Sequence, residues 1–228
     1  MLREGSLDIE GRLVDASNAT LYCTVTDGDL TAGCVYKPSS GERPLWDFPD
    51  RTLGLREVAA YLVSAATGWD IVPPTVLREG PFGPGAVQLW IDIDETVDLA
   101  ELIRTDDPQL RRMALFDAVV NNADRKGGHL LPTPEGHIFG CDHGVCFAIE
   151  PKLRTVLWGW RGTPINTEER VVLEQLLADF DGELGVTLEG LLDRDEVAAT
   201  ARRVTRLLSK GLFPQPHPDW PAVPWPPF

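Results

Sequence analysis

Hydrophobic and polar positions alternate differently in the two halves of the chain. Before residue 92, short β-prone runs are separated by turns, which is typical of strands. The predicted strands cover residues 12–14, 20–26, 31–37, 76–78 and 86–92. One helix interrupts them, because apolar residues recur at helical spacing from Leu55 to Thr67, with Thr52 as its expected cap. After residue 92 the pattern predicts helices over 98–104, 108–120, 168–180 and 194–210, and two short strands around Gly136.

This change of pattern predicts an α+β chain with two lobes. We expect a strand-rich lobe over residues 1–92 and a helix-rich lobe over 93–228, with a small-molecule site in the cleft between them. The last 15 residues, 214–228, contain seven prolines and two tryptophans. That composition favours an extended segment on the surface, and a disordered tail is the alternative.

Charge and composition exclude several classes of protein. The net charge of −14 disfavours nucleic acid as a partner and opposes docking on anionic lipid. The longest largely apolar stretch without formal charge, 58–69, is too short to span a bilayer, and the first residues show no signal core. The four cysteines are scattered. We therefore expect reduced thiols, a cytoplasmic location and no integral membrane contact.

Four residues have the spacing that phosphoryl transfer requires. Asp124 lies in a glycine-containing loop after a predicted helix, and Asp142 follows 18 residues later before His-Gly. One carboxylate would orient or deprotonate the attacking hydroxyl, and the other would hold a metal ion. Lys37 ends a predicted strand, and Glu57 follows 20 residues later in a helix, as in protein kinases. Glu42 is the competing partner for Lys37.

Five segments carry a resemblance to a known family. They are Val35-Tyr36-Lys37-Pro38, the helix segment 57–63, Ile71-Val72-Pro73-Pro74-Thr75, Asn122-Ala123-Asp124-Arg125 and Asp142-His143-Gly144-Val145-Cys146-Phe147. In this order and spacing the chain resembles the phosphatidylinositol 3-/4-kinase-like family. It is most similar to the type II phosphatidylinositol 4-kinases and their bacterial relatives. The resemblance covers roughly residues 10–150.

The resemblance implies a protein-kinase-like fold that binds ATP together with Mg²⁺ or Mn²⁺. It implies that Lys37, braced by Glu57, contacts the ATP phosphates and that Asp142 binds the metal. Asp124 would act as the catalytic base or orient the acceptor. The hinge that binds adenine would be residues 88–92, which include Gln88, Trp90 and Ile91. The turn over the phosphates would include Ser17 and Asn18.

The chain departs from the family pattern at three places. There is no Gly-x-Gly-x-x-Gly loop, and the family's cysteine-rich membrane-anchoring insertion is absent between Lys37 and Glu57, which disfavours a lipid acceptor. His129 stands where the second metal ligand is normally Asn, so as a ligand it would favour Mn²⁺ over Mg²⁺. Residues 157–162 occupy the place of an activation segment, but no Ala-Pro-Glu element follows.

These features predict a phosphotransferase that uses ATP and a divalent metal. Its acceptor is a hydroxyl group on a small molecule, a protein or an inositol lipid. One alternative is a pseudokinase that binds nucleotide and acts through a partner protein. The other is a metal-binding interaction protein with a structural zinc site. Its zinc ligands would come from His129, His137, Cys141, His143 and Cys146.

Overall fold

The computed structural model describes residues 1–13 and 18–228 and contains a twisted antiparallel sheet followed by a helical region. The sheet has five strands in the order β1-β2-β3-β5-β4. Their bounds are β1 (Ser6–Arg12), β2 (Leu21–Asp27), β3 (Leu30–Pro38), β4 (Thr75–Gly80) and β5 (Gly83–Leu89). A second, two-stranded sheet is formed by β6 (Leu130–Pro132) and β7 (Ile138–Gly140).

One helix lies between β3 and β4 in the chain, and the others follow β5. They are α1 (Leu53–Thr67), α2 (Leu99–Leu102), α3 (Pro108–Val120), α4 (Thr167–Phe180), α5 (Glu183–Leu188) and α6 (Arg194–Lys210). Sequence spacing predicted all but the short α5. The bounds of α3 and α6 are those predicted, because Pro108 stands in the first turn of α3 and a capping box formed with Asp193 starts α6. The predicted boundary between lobes at residue 92 remains a prediction.

Helix α1 belongs to both parts of the fold. It leads from the large sheet, and its buried residues Ala59, Ala60 and Val63 pack in the same core as Leu110 and Phe116 of α3. Gly68 ends α1 in the left-handed conformation (φ 65°), as expected. Thr52 stands at the N-cap position, as expected, but its side chain makes no capping hydrogen bond. The Glu42 carboxylate accepts hydrogen bonds from the amides of Leu53 and Gly54, whereas the Thr52 hydroxyl donates to Pro49.

The proline-rich tail lies extended against the helical region, which is the first of the two alternatives given above. The indole of Trp220 donates to the carbonyl of Lys152, and the amide of Thr155 donates to the carbonyl of Ala222. The amide of Gly127 donates to the carbonyl of Pro227 at 2.8 Å. The tail therefore contacts both the loop after α3 and the segment that follows Asp142.

Among the described residues, no helix combines the length and the apolar character that crossing a bilayer would require.

Candidate active site

Three of the predicted site residues meet at one ammonium group. The Nζ atom of Lys37 lies 2.6 Å from Oε1 of Glu57 and 2.6 Å from Oδ1 of Asp142. Glu57 is 4% exposed, so this pair is largely withdrawn from solvent. The competing partner for Lys37 is thus excluded, because Glu42 caps α1 instead.

Lys37, Glu57 and Asp142 come from three different elements of the fold. Lys37 is near the end of β3, in register with Ala86 of β5, and Glu57 is in the second turn of α1. Asp142 follows β7 in a left-handed conformation (φ 57°). Its neighbour His143 donates its amide to Oε2 of Glu57 at 3.0 Å, so one glutamate fixes both the lysine and the loop that carries Asp142.

The charges of this group stabilise one another. Coulombic attraction to Lys37 holds the pKa of Asp142 well below its usual range, against the opposing effect of burial. Burial alone would lower the pKa of Lys37, but Asp142 and Glu57 outweigh it and raise the pKa above its ordinary value. Lys37 and Asp142 are therefore both charged at neutral pH.

Asp124 lies in a loop that is ordered by contacts of its neighbours Asn122 and Arg125. Asn121, directly after the last residue of α3, caps the helix in a left-handed conformation (φ 54°), and the side chain of Asn122 accepts the amide of Asp124 at 2.9 Å. Arg125 is fully buried and paired with Asp117 of α3 at 2.8 Å. The buried pair anchors the residue that follows Asp124, whereas the side chain of Asp124 itself is 29% exposed.

Two cations flank the Asp124 carboxylate. Nζ of Lys126 lies 3.4 Å from Oδ2, and Nη2 of Arg154 lies 3.8 Å from Oδ1. Burial raises the pKa of Asp124 above its usual value, while Lys126 and Arg154 oppose that rise. A carboxylate with a raised pKa beside a cavity is suited to accept a proton.

His129 contacts Asp142 from the other side. Its Nε2 lies 3.5 Å from Oδ2 of Asp142, and its Nδ1 accepts the amide of Lys126 at 3.4 Å. Burial lowers the pKa of His129 to about 4, so the ring is neutral. With Nδ1 as acceptor, the neutral ring carries its hydrogen on Nε2 and points it at Asp142. Metal ligation would need the Nε2 lone pair instead, so the ligand role of His129 remains a prediction.

These residues line one cavity of about 510 Å³, within the range of roughly 300–1,000 Å³ typical of small-molecule sites. Its walls include Asn18, Lys37, Glu57, Asp124, His129 and Asp142. Mg²⁺ is commonly held by one or two carboxylates with substrate phosphates and water. Asp142, with 53% of its side chain exposed, fits that requirement.

The predicted adenine-binding residues do not line this cavity. Gln88 is buried in β5 and its amide donates to Thr75, while the backbone amide of Trp90 donates to Gly33. Within the described residues, the amide of Ile91 has no hydrogen-bond acceptor, and the hinge role of residues 88–92 remains a prediction. Asn18 lines the cavity and its side-chain oxygen accepts the amide of Arg43. Ser17 lies outside the described residues.

Sequence reasoning assigned no role to three basic residues in and around the site. Lys126 stands two residues after Asp124 and was recognisable as a basic residue in the same loop. Arg154 is 30 positions further along and carries no local signal. Arg56, beside Glu57, forms a buried ion pair with Glu196 of α6 at 2.6 Å and also donates to the carbonyl of Cys146. This pair ties α1 to the helical region.

The zinc alternative is not supported by the geometry. Within residues 1–13 and 18–228, no three His, Cys, Asp or Glu side chains are grouped closely enough to hold a metal ion. His143 and Cys146 are instead buried, where His143 contacts Arg125 at 2.6 Å. The Nδ1 atom of His143 is buried without a hydrogen-bond partner among the described residues.

Comparison with solved structures identifies the fold. The chain superposes on hydra Fam20, in a structure with sugar, with a TM-score of 0.60 and 15% sequence identity, covering 90% of this chain and 86% of that one. The likeness confirms the expected α+β, two-lobed, kinase-like fold.

Sequence comparison gives two further relatives. The chain is 27% identical over 179 residues to phosphatidylinositol 4-kinase gamma 4 of Oryza sativa subsp. japonica, across 69% of this chain but 32% of the plant protein. No protein-family model matches. Protein Rv2133c of Mycobacterium tuberculosis (strain ATCC 25618 / H37Rv) is 43% identical over 263 residues, covering 100% of this chain and 94% of that protein. The chain therefore belongs to the same family as Protein Rv2133c, and its fold is kinase-like.

Proposed function

We propose that this protein is a phosphotransferase that moves the γ-phosphoryl group of ATP to a hydroxyl acceptor. The observation that carries the proposal is the contact of Lys37 with both Glu57 and Asp142, each at 2.6 Å, in a cavity that Asp124 also lines. A lysine held by a helical glutamate beside a metal-binding aspartate is the arrangement that kinases use to position phosphates. The similarity to a plant phosphatidylinositol 4-kinase supports the same assignment.

Each residue has a separate task in this proposal. Lys37 binds the phosphates of ATP, and Glu57 keeps its ammonium group in place. Asp142 would hold a divalent metal, which when bound offsets the charge of the phosphates. His129 orients the Asp142 carboxylate. Lys126, at the edge of the cavity, adds a second cation for the transferred group.

The transfer itself depends on Asp124. The acceptor oxygen attacks the γ-phosphorus, the bond from that phosphorus to the bridging β–γ oxygen breaks, and ADP leaves. The proton of the hydroxyl passes to Asp124, whose pKa is raised by burial. The acceptor class stays open at this level between a small molecule, a protein and an inositol lipid.

Thermal unfolding of the full chain with ATP tests the proposal. At 100 times its dissociation constant a ligand stabilises the native state by about 2.7 kcal/mol, which raises Tm by roughly 5–11 °C for a chain of this size. We expect this rise with ATP and Mg²⁺ or Mn²⁺ in wild-type protein and in Asp8→Asn, a control on exposed β1. It should disappear in Asp142→Asn, because the amide lacks the charge that pairs with the metal.

A second variant separates an enzyme from a nucleotide-binding protein without turnover. Asp124→Asn should keep the ATP-induced rise in Tm but lose ADP formation. If wild-type protein binds ATP and forms no ADP above the Asp124→Asn background, the pseudokinase alternative replaces the proposal. If neither metal gives a rise in Tm with well-folded protein, the nucleotide site itself is refuted.

A further inference from the structure

Arg154 is held against the loop that carries Asp124, the proposed catalytic base. Its amide donates to the carbonyl of Asn122 at 2.9 Å, and its Nε donates to the carbonyl of Ala123 at 2.7 Å. The Trp220 ring of the tail lies 5.6 Å from the guanidinium carbon. One edge and one face of the guanidinium are thereby fixed, so its remaining N–H groups have a defined direction.

Those remaining N–H groups have no hydrogen-bond acceptor in the part of the chain that the structure describes. The nearest carboxylate oxygen, Oδ1 of Asp124, is 3.8 Å from Nη2, too far for a hydrogen bond. Two other arginines use their guanidinium N–H groups in ion pairs. Arg111 binds Glu169 through two nitrogens, and Arg125 binds Asp117 in the same way. Arg154, by contrast, is fixed beside the proposed base through Nε, and its two Nη groups have no hydrogen-bond acceptor among the described residues.

Arg154 also lies on a different side of Asp124 from the nucleotide cavity. Lys37, Lys126 and Asp142 line that cavity, whereas Arg154 does not. A cation on this outer side is therefore placed for the acceptor rather than for ATP. Guanidinium groups bind phosphate and carboxylate in a bidentate manner, and an anion there would use the two Nη groups that are free within the described residues.

We infer that Arg154 forms an anion subsite for the acceptor, which carries a phosphate or carboxylate group close to the hydroxyl that is phosphorylated. This inference rests on the proposed function and names the chemical class of its acceptor. Asp124 and Arg154 then act as a pair, one toward the reacting hydroxyl and one toward the neighbouring anion.

The tail narrows the acceptor further, because it already occupies backbone donors in the two segments next to Arg154 and Asp124. The carbonyl of Ala222 accepts both the amide of Thr155 and the indole N–H of Trp158. The carbonyl of Pro227 accepts the amide of Gly127. These donors are therefore not available for strand pairing with a peptide. The anion belongs to a compact soluble compound or to a lipid headgroup.

Binding of inorganic phosphate to the full chain tests the subsite. The protein is first saturated with a non-hydrolysable ATP analogue and Mg²⁺, so that the nucleotide cavity is filled, and phosphate is then titrated by calorimetry. We expect Arg154→Gln to weaken phosphate binding at least tenfold and Arg154→Lys to weaken it less, because lysine keeps the charge but not the fork. Arg161→Gln, an exposed arginine of the same segment, serves as the matched control and should bind phosphate as wild type does.

The outcomes separate this inference from the proposed function. Failure of the analogue to bind wild-type protein would count against the proposed function, and phosphate would then be titrated without it. Equal phosphate affinity in wild type and Arg154→Gln, or no binding to wild type at tens of millimolar, would overturn the subsite. If Arg154 only keeps Asp124 ionised, Arg154→Gln would shift the pH dependence of ADP formation without weakening phosphate binding, which also overturns it.

A vesicle-binding experiment distinguishes an anion on a lipid headgroup from one on a soluble compound. Co-sedimentation with phosphatidylcholine vesicles that contain phosphatidylinositol, compared with phosphatidylcholine alone, reports a lipid headgroup. Binding that Arg154→Gln abolishes would support the subsite with a lipid acceptor. Phosphate binding without vesicle binding would support it with a soluble acceptor, which the net charge of −14 favours.

Discussion

The ion pair between Arg56 and Glu196 offers the most direct test of how α1 is positioned. Arg56 and Glu57 are consecutive, yet Arg56 faces α6 and Glu57 faces Lys37. The Arg56 and Glu196 side chains are 1% and 9% exposed, so their charges are compensated by each other rather than by water. Replacing Glu196 with Gln removes one charge and keeps a side-chain oxygen that can still accept the amide of Asp193, as Glu196 does.

The expected cost follows from this geometry. Removing one partner of a buried ion pair costs roughly 3–5 kcal/mol, and we expect the lower end, about 3 kcal/mol, because Arg56 keeps its bond to the carbonyl of Cys146. At roughly 2–4 °C per kcal/mol for a chain of this size, Tm should fall by about 6–12 °C. With α1 less firmly held, affinity for a non-hydrolysable ATP analogue should fall about tenfold, equivalent to about 1.4 kcal/mol.

Glu169→Gln provides a matched control. Glu169 also closes a capping box and binds an arginine, Arg111, but it connects α4 to α3 and touches neither Arg56 nor Glu57. Calorimetric unfolding would compare the stability of the two variants, and analogue titration at a temperature below both measured transitions would compare their nucleotide affinity. The reasoning is refuted if Glu196→Gln leaves nucleotide affinity unchanged, or if Glu169→Gln weakens it equally.

Three further predictions concern the site and the tail. If Nε2 of His129 binds the metal instead of facing Asp142, His129→Asn should move the ATP-induced stabilisation toward Mg²⁺ relative to Mn²⁺. An unchanged ratio of the two would remove His129 from the metal ligands and leave it as the residue that orients Asp142. ADP formation should decline as pH falls through the raised pKa of Asp124, because only the unprotonated carboxylate accepts a proton; Lys126→Gln should shift this decline to higher pH, and an unmoved pH profile would contradict the role given to Lys126. Gly127→Val should displace the Phe228 ring, which a Cβ at Gly127 would overlap; hydrogen exchange should then accelerate at the amides of residue 127 and Thr155, which donate to the tail carbonyls of Pro227 and Ala222, and unaltered exchange would show that the tail does not depend on this contact.

Sequence reasoning succeeded where the signal was local. Helix α3 was predicted from Pro108 to Val120 because its periodicity and its starting proline both lie within the helix. The β2–β3 hairpin was predicted within one residue at each end, since Gly28 supplies the left-handed turn residue (φ 62°) between two β-prone runs. The grouping of Lys37, Glu57, Asp124 and Asp142 followed from motif spacing together with family resemblance.

Sequence reasoning failed for contacts between residues that are far apart in the chain or lie in segments without a pattern. The polar run 39–51 has no periodicity, so nothing in it indicates that Glu42 turns back to cap α1. Arg154 reaches Asp124 only because both segments fold onto the same loop and Trp220 covers the guanidinium. The hinge over 88–92, which the family resemblance implies, remains a prediction; within it, Gln88 pairs with Val35 of β3 and with Thr75 of β4.

Two consecutive residues of α1 bind different partners, Arg56 to Glu196 and Glu57 to Lys37, and this restricts where insertions and deletions are tolerated. Successive residues of a helix are separated by about 100°, so one residue added inside α1 ahead of Arg56 would turn both Arg56 and Glu57 away from their partners. One residue added between Asp50 and Arg51, both exposed, would leave the rotation of the helix unchanged. Natural variation in length between β3 and α1 should therefore concentrate in the loop, and α1 itself should keep a fixed length from Leu53 to Glu57.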